Sequence, residues 1–353
     1  MHPRSLPSAS DIAITPRMLR LIAEIDAFRA GWRASAPLPE ERLLALRRIA
    51  TIQSIGASTR IEGAVLTDSE VDALLRGFDP AAIARRDEQE VAGYADAVEL
   101  IMAQWEDIPV TTNGIRQLHR LMMAYSARDD WHRGNFKVVA NNVAAVDSAG
   151  DPVGIILQTA SPFETPMRME ELVAWFARGG DADDIHPLMR IGVFVVVFLQ
   201  VHPFQDGNGR LSRLLTTLML LKDGYSFTPY ASLERVVERR REAYYRALRQ
   251  TQGTLGTDVP DWTPWLTFFL DVLHEQTRDL AGRLDREHVL AALAPEREVI
   301  LRYTAEQGRI TVRDLVVLTG INRNTLKGHL RALVADGQLV LHGSGRGSWY
   351  SLP

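Results

Sequence analysis

Along the first part of the chain, apolar residues recur at helical rather than alternating spacing. From Arg17, the residues Leu19, Ile22, Ile25 and Phe28 return in steps of three, which predicts an amphipathic helix. Residues 1–15, rich in Pro and Ser, read as a loose arm before it. The break APLPEE precedes a second predicted helix from Glu40 to about Gln53. Thr67, with Glu70 three residues on, has the form of a capping box and starts a helix over 67–76. Further helices are predicted at 85–105, 112–125, 166–178, 186–201, 210–222, 234–252 and 262–283. Between Gly134 and Pro162 the texture changes. FKVVANNVAAV and PVGIILQT are short β-prone runs separated by the turn sequence DSAGDP, and they predict a β-hairpin within the helical region.

The end of the chain reads as a separate unit. EREVILRYTAEQG predicts an amphipathic helix, RITVRDLVVLTG a short strand and a second helix, and Asn322 to Ala335 a third. QLVLHGSGRGSWYSLP closes as a two-stranded wing, and the turn Gly320-Ile321-Asn322 suits a helix-turn-helix. The order is that of a winged helix. The expected organisation is an N-terminal helical region at 1–110, a core at 111–283 and a winged helix-turn-helix at 286–353.

Composition narrows the setting. The chain has 353 residues, 46% of them hydrophobic and 24% charged, and a net charge of −4, so no global pull toward nucleic acid or a membrane is expected. It has no cysteine, which excludes disulfides and thiolate metal sites and favours a reducing compartment. The start MHPRSLPSAS lacks the apolar stretch of a secretory signal, and Ile191 to Val201 is too short to span a bilayer. A cytoplasmic protein is expected.

The chemistry concentrates in HPFQDGNGR, His202 to Arg210, directly after the apolar run RIGVFVVVFLQV. Pro203 stops the helix and leaves His202 at its rigid end, with an ordinary pKa near neutrality that suits a general base. Gly207 and Gly209 let successive amides turn into one concavity, and the helix expected from Arg210 points its positive end there, which together make a phosphate nest. Asp206 is a hard oxygen ligand suited to Mg²⁺, and Arg210 and Arg213 lie one turn apart on one face. A base, a metal ligand, an anion cradle and two cations are the parts of phosphoryl or nucleotidyl transfer. A satisfied polar turn would explain the glycines and the proline, but not His, Asp, Asn and two Arg together.

HPFQDGNGRLSR resembles the signature of the Fic family (filamentation induced by cAMP), H-P-F-x-D/E-G-N-G-R-x-x-R, and matches every specified position. The resemblance covers roughly residues 15–280 and implies an all-α fold: a Fic-type helical bundle with a β-hairpin flap, here followed by the C-terminal winged-helix domain. It implies a protein adenylyltransferase that moves AMP from ATP to a Ser, Thr or Tyr hydroxyl, with Mg²⁺. On that basis His202 is the general base and Asp206 the metal ligand. Gly207, Asn208 and Gly209 form the anion hole, and Arg210 and Arg213 hold the β- and γ-phosphates. The hairpin at 136–158 would dock the target by strand addition, with Val143, Ala144, Ala145 and Val146 where relatives often carry Val-Gly-Gly. Tyr244 and Gln252 fall where relatives contact adenine. Helix packing explains Tyr244 equally well. Phosphate-transferring relatives carry lysine in place of the second motif glycine, so Gly209 favours AMP, although the motif also admits UMP or phosphocholine transfer.

Upstream, STRIEG resembles the family's inhibitory motif, with Ser58 and Glu62 at i and i+4 on one face of a short helix and Gly63 ending the turn. The family match pairs Glu62 with Arg213, which would exclude the γ-phosphate; in some relatives the same glutamate serves AMP removal. The implied partners are a protein target, the chain itself through auto-AMPylation, and a second copy in a homodimer, with no membrane. The alternative is a DNA-binding transcriptional regulator whose core senses nucleotide. Asn322, Arg323, Asn324, Lys327 and His329 on the third helix of the last unit, and Arg346 at the wing tip, are types suited to DNA contacts. His119 and His186 lack metal-ligand spacing and read as packing or capping residues.

Overall fold

The computed structural model describes residues 6–34, 38–77, 83, 85–146, 152–178, 185–291 and 295–353. Parts of three expected features lie outside the described residues: the first residues of the arm, the start of APLPEE and most of the DSAGDP turn. The same holds for the Arg346 side chain. The chain divides into two compact units, Met1–Leu280 and Ala281–Pro353.

In the first unit the helices are α1 (Pro16–Ala34), α2 (Glu40–Ile61), α3 (Asp68–Arg76), α4 (Arg86–Gln104) and α5 (Thr112–Met122). A hairpin of β1 (Val143–Val146) and β2 (Pro152–Leu157) follows, then α6 (Thr165–Arg178), α7 (Pro187–Val201), α8 (Asn208–Lys222), α9 (Leu233–Arg239), α10 (Arg241–Gln252) and α11 (Thr263–Ala291). The architecture is mostly helical. Helix α7 is apolar on every side, so it can only sit inside, and every residue from Leu188 to Val201 is buried. Pro187 occupies its first turn, and the His186 side chain caps it by accepting from the Leu188 amide. Helix α8 packs against α7 and is buried nearly throughout, so the loop joining them is clamped between two core helices.

Several expected boundaries are corrected. In α1 the buried face is Met18, Leu21 and Ile25, while Leu19 is 58% exposed. Steps of three drift off the face of a helix with 3.6 residues per turn. Helix α2 runs past Gln53 to Ile61, so STRIEG lies at the end of a 22-residue helix and not on a short one of its own. The expected helix over 234–252 breaks at Arg240, which stands at φ −111°, ψ +27° between residues ion-paired to different helices: Glu238 to Arg60 at 2.6 Å, Arg239 to Glu275 at 2.7 Å. The hairpin is antiparallel, pairing Ala144 with Ile155 and Ala145 with Gly154, with an irregularity on either side. Residues 136–142 do not extend it, because the Lys137 amide donates to the Pro203 carbonyl instead of to a ladder. Thr67 and Glu70 form the expected capping box.

The second unit begins within α11 and continues as α12 (Pro295–Gln307), α13 (Val312–Thr319), α14 (Arg323–Ala335) and an antiparallel pair, β3 (Val340–His342) and β4 (Trp349–Ser351). Ile310 bridges to Tyr350, and Ile300, Leu315, Leu326, Leu330 and Leu333 form a separate small core. Gly320 ends α13 at φ +66° and the Asn322 side chain caps α14. Among the described residues no helix is long and apolar enough to cross a membrane.

The contact between α4 and α5 is close enough to test. A Cβ added to Gly93 would collide with the Met122 carbonyl, a backbone atom that cannot step aside. Gly93→Ala should therefore destabilise the fold by about 1–3 kcal/mol, read as a lowered urea midpoint. An unchanged midpoint would contradict this packing.

Candidate functional site

The loop between α7 and α8 carries the site. His202 caps α7 at φ +52°, ψ +59°, the one described residue other than glycine with positive φ. That conformation costs roughly 1–2 kcal/mol for an L-residue, and such outliers gather where geometry serves function. Imidazole Nδ1 lies 3.2 Å from the Leu199 carbonyl. A carbonyl can only accept, so Nδ1 carries the proton and Nε2 keeps its lone pair. Burial first of all, reinforced by the nearby Lys137 charge, pulls the His202 pKa down to about 4, against Glu62, Asp206 and the Leu199 bond. The ring is therefore neutral at pH 7, and more firmly so than an ordinary histidine.

Beyond Pro203 the chain is stapled by side chains. The Phe204 amide donates to Asn208 Oδ1 at 2.9 Å, and Asn208 Nδ2 returns to the Phe204 carbonyl at 2.7 Å. Gly207 stands at φ +79°, as the N-cap of a helix that opens at Asn208 and not at Arg210. Gly209 is thus helical, and its requirement is space: a Cβ there would collide with the Glu62 carboxylate. A negative charge already lies against the positive end of α8.

The two cations of α8 face different carboxylates. Arg210 is 2% exposed; its Nη1 lies 3.0 Å from Glu90 of α4 and its Nη2 3.6 Å from Asp206. Arg213, 5% exposed, donates from Nε to Ser58 Oγ at 2.8 Å and from Nη2 to the Ser58 carbonyl at 2.9 Å and Glu62 Oε1 at 2.7 Å. Glu62 is the C-cap of α2, and Gly63 follows at φ +108°. The last turn of α2 thus delivers a serine and a glutamate onto one buried guanidinium. Arg213 Nη1 and Arg210 Nε are buried N–H groups without a hydrogen-bond partner among the described residues, as expected where an anionic ligand binds, whereas Arg210 Nη1 already faces Glu90.

Asp206 sits at the lip, with Oδ1 accepting from the Gly207 amide at 2.6 Å and Oδ2 at 3.0 Å from Arg86. Among the described residues no group of three or more His, Asp or Glu could hold a metal by itself. Mg²⁺ commonly takes one or two carboxylates plus substrate phosphates, so one half-exposed carboxylate beside an anion nest is a fitting donor set. Tyr244 is buried on α10 within reach of the Arg213 charge, and burial raises its pKa. Gln252 is buried at the end of the same helix. Val143 to Val146 form β1, and their side chains lie outside the described residues.

One residue was missed in sequence. His119 on α5 accepts from the Gly134 amide at Nδ1 and donates from Nε2 to the Asp206 carbonyl at 3.0 Å, and its ring stacks on Phe204 at 3.9 Å. It packs, as expected of it, but it packs against the loop. Its partner lies 87 residues away, a separation that no spacing rule spans.

Residues 109–220 match the model of the Fic/DOC family. The protein adenylyltransferase Fic of Drosophila willistoni is 27% identical over 268 residues, 74% of this chain and 47% of its own. That of Drosophila virilis is 25% identical over 291 residues, 79% of this chain and 54% of its own. The chain spans about half the length of these relatives. In fold it is similar to the crystal structure of a Fic family protein from Desulfovibrio desulfuricans, with TM-score 0.63 and 24% identity over 97% of this chain and 98% of that one. A Fic domain containing signaling protein from Bacteroides thetaiotaomicron follows at 0.60 and 22%, over 77% and 97%.

Burial lowers the pKa of His119, like that of His202, to about 4. Both rings stay neutral in the fold but take up a proton on unfolding below about pH 6.5. Their stabilisation is complete above that pH and is lost as pH falls through 4, by about 3 kcal/mol each. Ring titrations followed by NMR should have midpoints near 4. Midpoints near 6.5 would contradict the burial.

Proposed function

We propose that this chain, whose residues 109–220 match the Fic/DOC family, is a protein adenylyltransferase that moves AMP from ATP to a hydroxyl of a protein and is held back by its own Glu62. The observation that carries the reading is the convergence of a neutral left-handed histidine, the amide turn opening α8 and an incompletely satisfied buried arginine on that helix. The relatives named protein adenylyltransferase Fic support it at low identity.

The chemistry follows from the residues. A target Ser, Thr or Tyr oxygen attacks the α-phosphorus of ATP while His202 Nε2 takes its proton, and the bond from the α-phosphorus to the β-bridging oxygen breaks. Pyrophosphate leaves. Amides of Gly207 to Gly209 at the start of α8 cradle phosphate oxygens, and Arg213, with Arg210, balances the charge on the leaving group. Asp206 would hold Mg²⁺, which neutralises phosphate charge when bound. Tyr244 and Gln252 are proposed to line the adenine end, and the β1–β2 hairpin to align the target backbone. While Glu62 occupies Arg213, a γ-phosphate meets a carboxylate where it needs a cation.

A second reading has its own observation. On α14 the residues Arg323, Lys327 and Arg331 recur every four positions, all are exposed, and the helix contains no acidic residue. Leu326, Leu330 and Leu333 bury the opposite face. This cationic stripe, on the third helix of a winged-helix-like unit, fits the phosphates of duplex DNA as an added function. Binding of the full chain to a labelled duplex should weaken steeply with salt, and Lys327→Glu with Arg331→Glu should abolish it. Binding that ignores both salt and the variants would refute this second reading.

For the main reading, incubation with α-phosphate-labelled ATP is the test. Glu62→Gly should raise auto-AMPylation about tenfold or more, and adding His202→Ala should remove about 10²–10⁴ of that rate. A Glu62→Gly chain that transfers no more label than the parent would overturn the brake, and a His202→Ala chain that still transfers would overturn the base.

A further inference from the structure

Lys137 is a buried cation that the proposed reaction does not use. It is 2% exposed, and the carboxylate that acts on its charge, Glu164, makes no hydrogen bond to it. Its ammonium donates instead to three neutral oxygens: Asn141 Oδ1 at 2.7 Å, Thr159 Oγ1 at 2.9 Å and the Val201 carbonyl at 3.1 Å. Burial draws its pKa down to about 8, with Glu164 opposing, so it still carries its charge at pH 7. Burying a charge there without a directly bonded carboxylate costs free energy, which calls for a reason.

The partners supply one. Val201 is the last residue of α7, whose terminal carbonyls have no helical donor and present the negative end of the helix. The Lys137 ammonium takes the Val201 carbonyl, and the Lys137 amide takes the Pro203 carbonyl at 2.9 Å. Asn141 Nδ2 takes the His202 and Phe204 carbonyls at 3.3 and 2.6 Å. Every carbonyl from Val201 to Phe204 is therefore held by Lys137 or Asn141, across the left-handed turn at His202. These two residues are also the stem leading into β1. The stem leaving β2 joins the same cluster: Thr159 Oγ1 meets the Lys137 ammonium and Asn141, and the Thr159 amide donates to Asn142 Oδ1 at 3.0 Å. Both roots of the hairpin and the end of α7, one residue before His202, meet at one nitrogen.

We propose that Lys137 is a positioning residue that locks the hairpin and the left-handed His202 into one rigid unit, so that a target strand laid on the hairpin is registered to the His202 ring. This rests on the reading of His202 as the base and goes beyond it by naming what fixes the base relative to the target. Neither stem carries the coupling alone, because the lysine has a hydrogen bond in each and a third in the helix end. A misplacement of about 1 Å at a reacting centre lowers rates by up to about 10².

The test uses the full chain released by Glu62→Gly. Lys137→Met keeps the length of the stem and removes its donors. It should lower the single-turnover rate of auto-AMPylation about tenfold or more while the Kd for ATP stays within about twofold. Thr159→Val should lower the rate less, and the Lys137→Met/Thr159→Val double variant should be no slower than Lys137→Met, since one cluster is lost only once. An unchanged rate, an equal loss of ATP affinity or multiplying losses would each overturn the proposal. Should Lys137→Met fail to fold, Thr159→Val decides alone by hydrogen exchange: amides of Lys137, His202 and Thr159 should lose protection together, and loss confined to Thr159 overturns the coupling. Exchange needs no turnover. A chain that transfers no AMP thus counts against the adenylyl-transfer reading and leaves this test intact.

Discussion

A guanidinium buried as deeply as Arg213 must be given an anion, and the rest of the site is arranged around which anion it has. In this structure the anion is Glu62, carried at the C-terminal cap of α2 and supported by Ser58 one turn earlier. That places the end of a long helix from the front of the chain against the first turn of α8, where amides and helix polarity already favour negative charge. Gly209 leaves room for the carboxylate, and the α7–α8 core keeps Arg213 from following if the carboxylate withdraws. The resting arrangement thus satisfies the cation with the chain's own charge. On the proposed reading, turnover is the exchange of that carboxylate for phosphate.

His202 obeys a related logic. It is strained, half-buried and uncharged, conditions that would be wasteful in a connector. Its Nδ1 proton is committed to Leu199, which fixes the ring and frees Nε2. Its backbone is held by donors from residues 137–141, and the following loop is held by His119 and Asn208. The hairpin, His202 and the Gly207–Gly209 turn are consequently one framework, and on the proposed reading the element that must withdraw is the end of α2.

Much of this was legible in the chain itself. The all-helical class, the hairpin, the α7–α8 turn and the i, i+4 relation of Ser58 and Glu62 all follow from local patterns. What escaped reading has physical causes. The end of α2 is written SIGASTR, which has small and polar residues in place of an apolar stripe, yet Ser58 and Thr59 are fully buried because the site packs on them. No proline or glycine marks the break at Arg240, and the ion pairs that flank it join residues distant in sequence. Lys137 meets Thr159 and Val201 across 22 and 64 residues, so its role appears only once the chain is folded.

The central claim is that the His202 ring and the amides opening α8 address one triphosphate from which Glu62 must withdraw. A crystal structure of the Glu62→Gly chain with ATP and magnesium tests it most directly. The account predicts phosphates on the Gly207–Gly209 turn and Arg213, with His202 Nε2 facing the α-phosphate. Nucleotide bound elsewhere, or an imidazole turned from it with the turn bare, would contradict it.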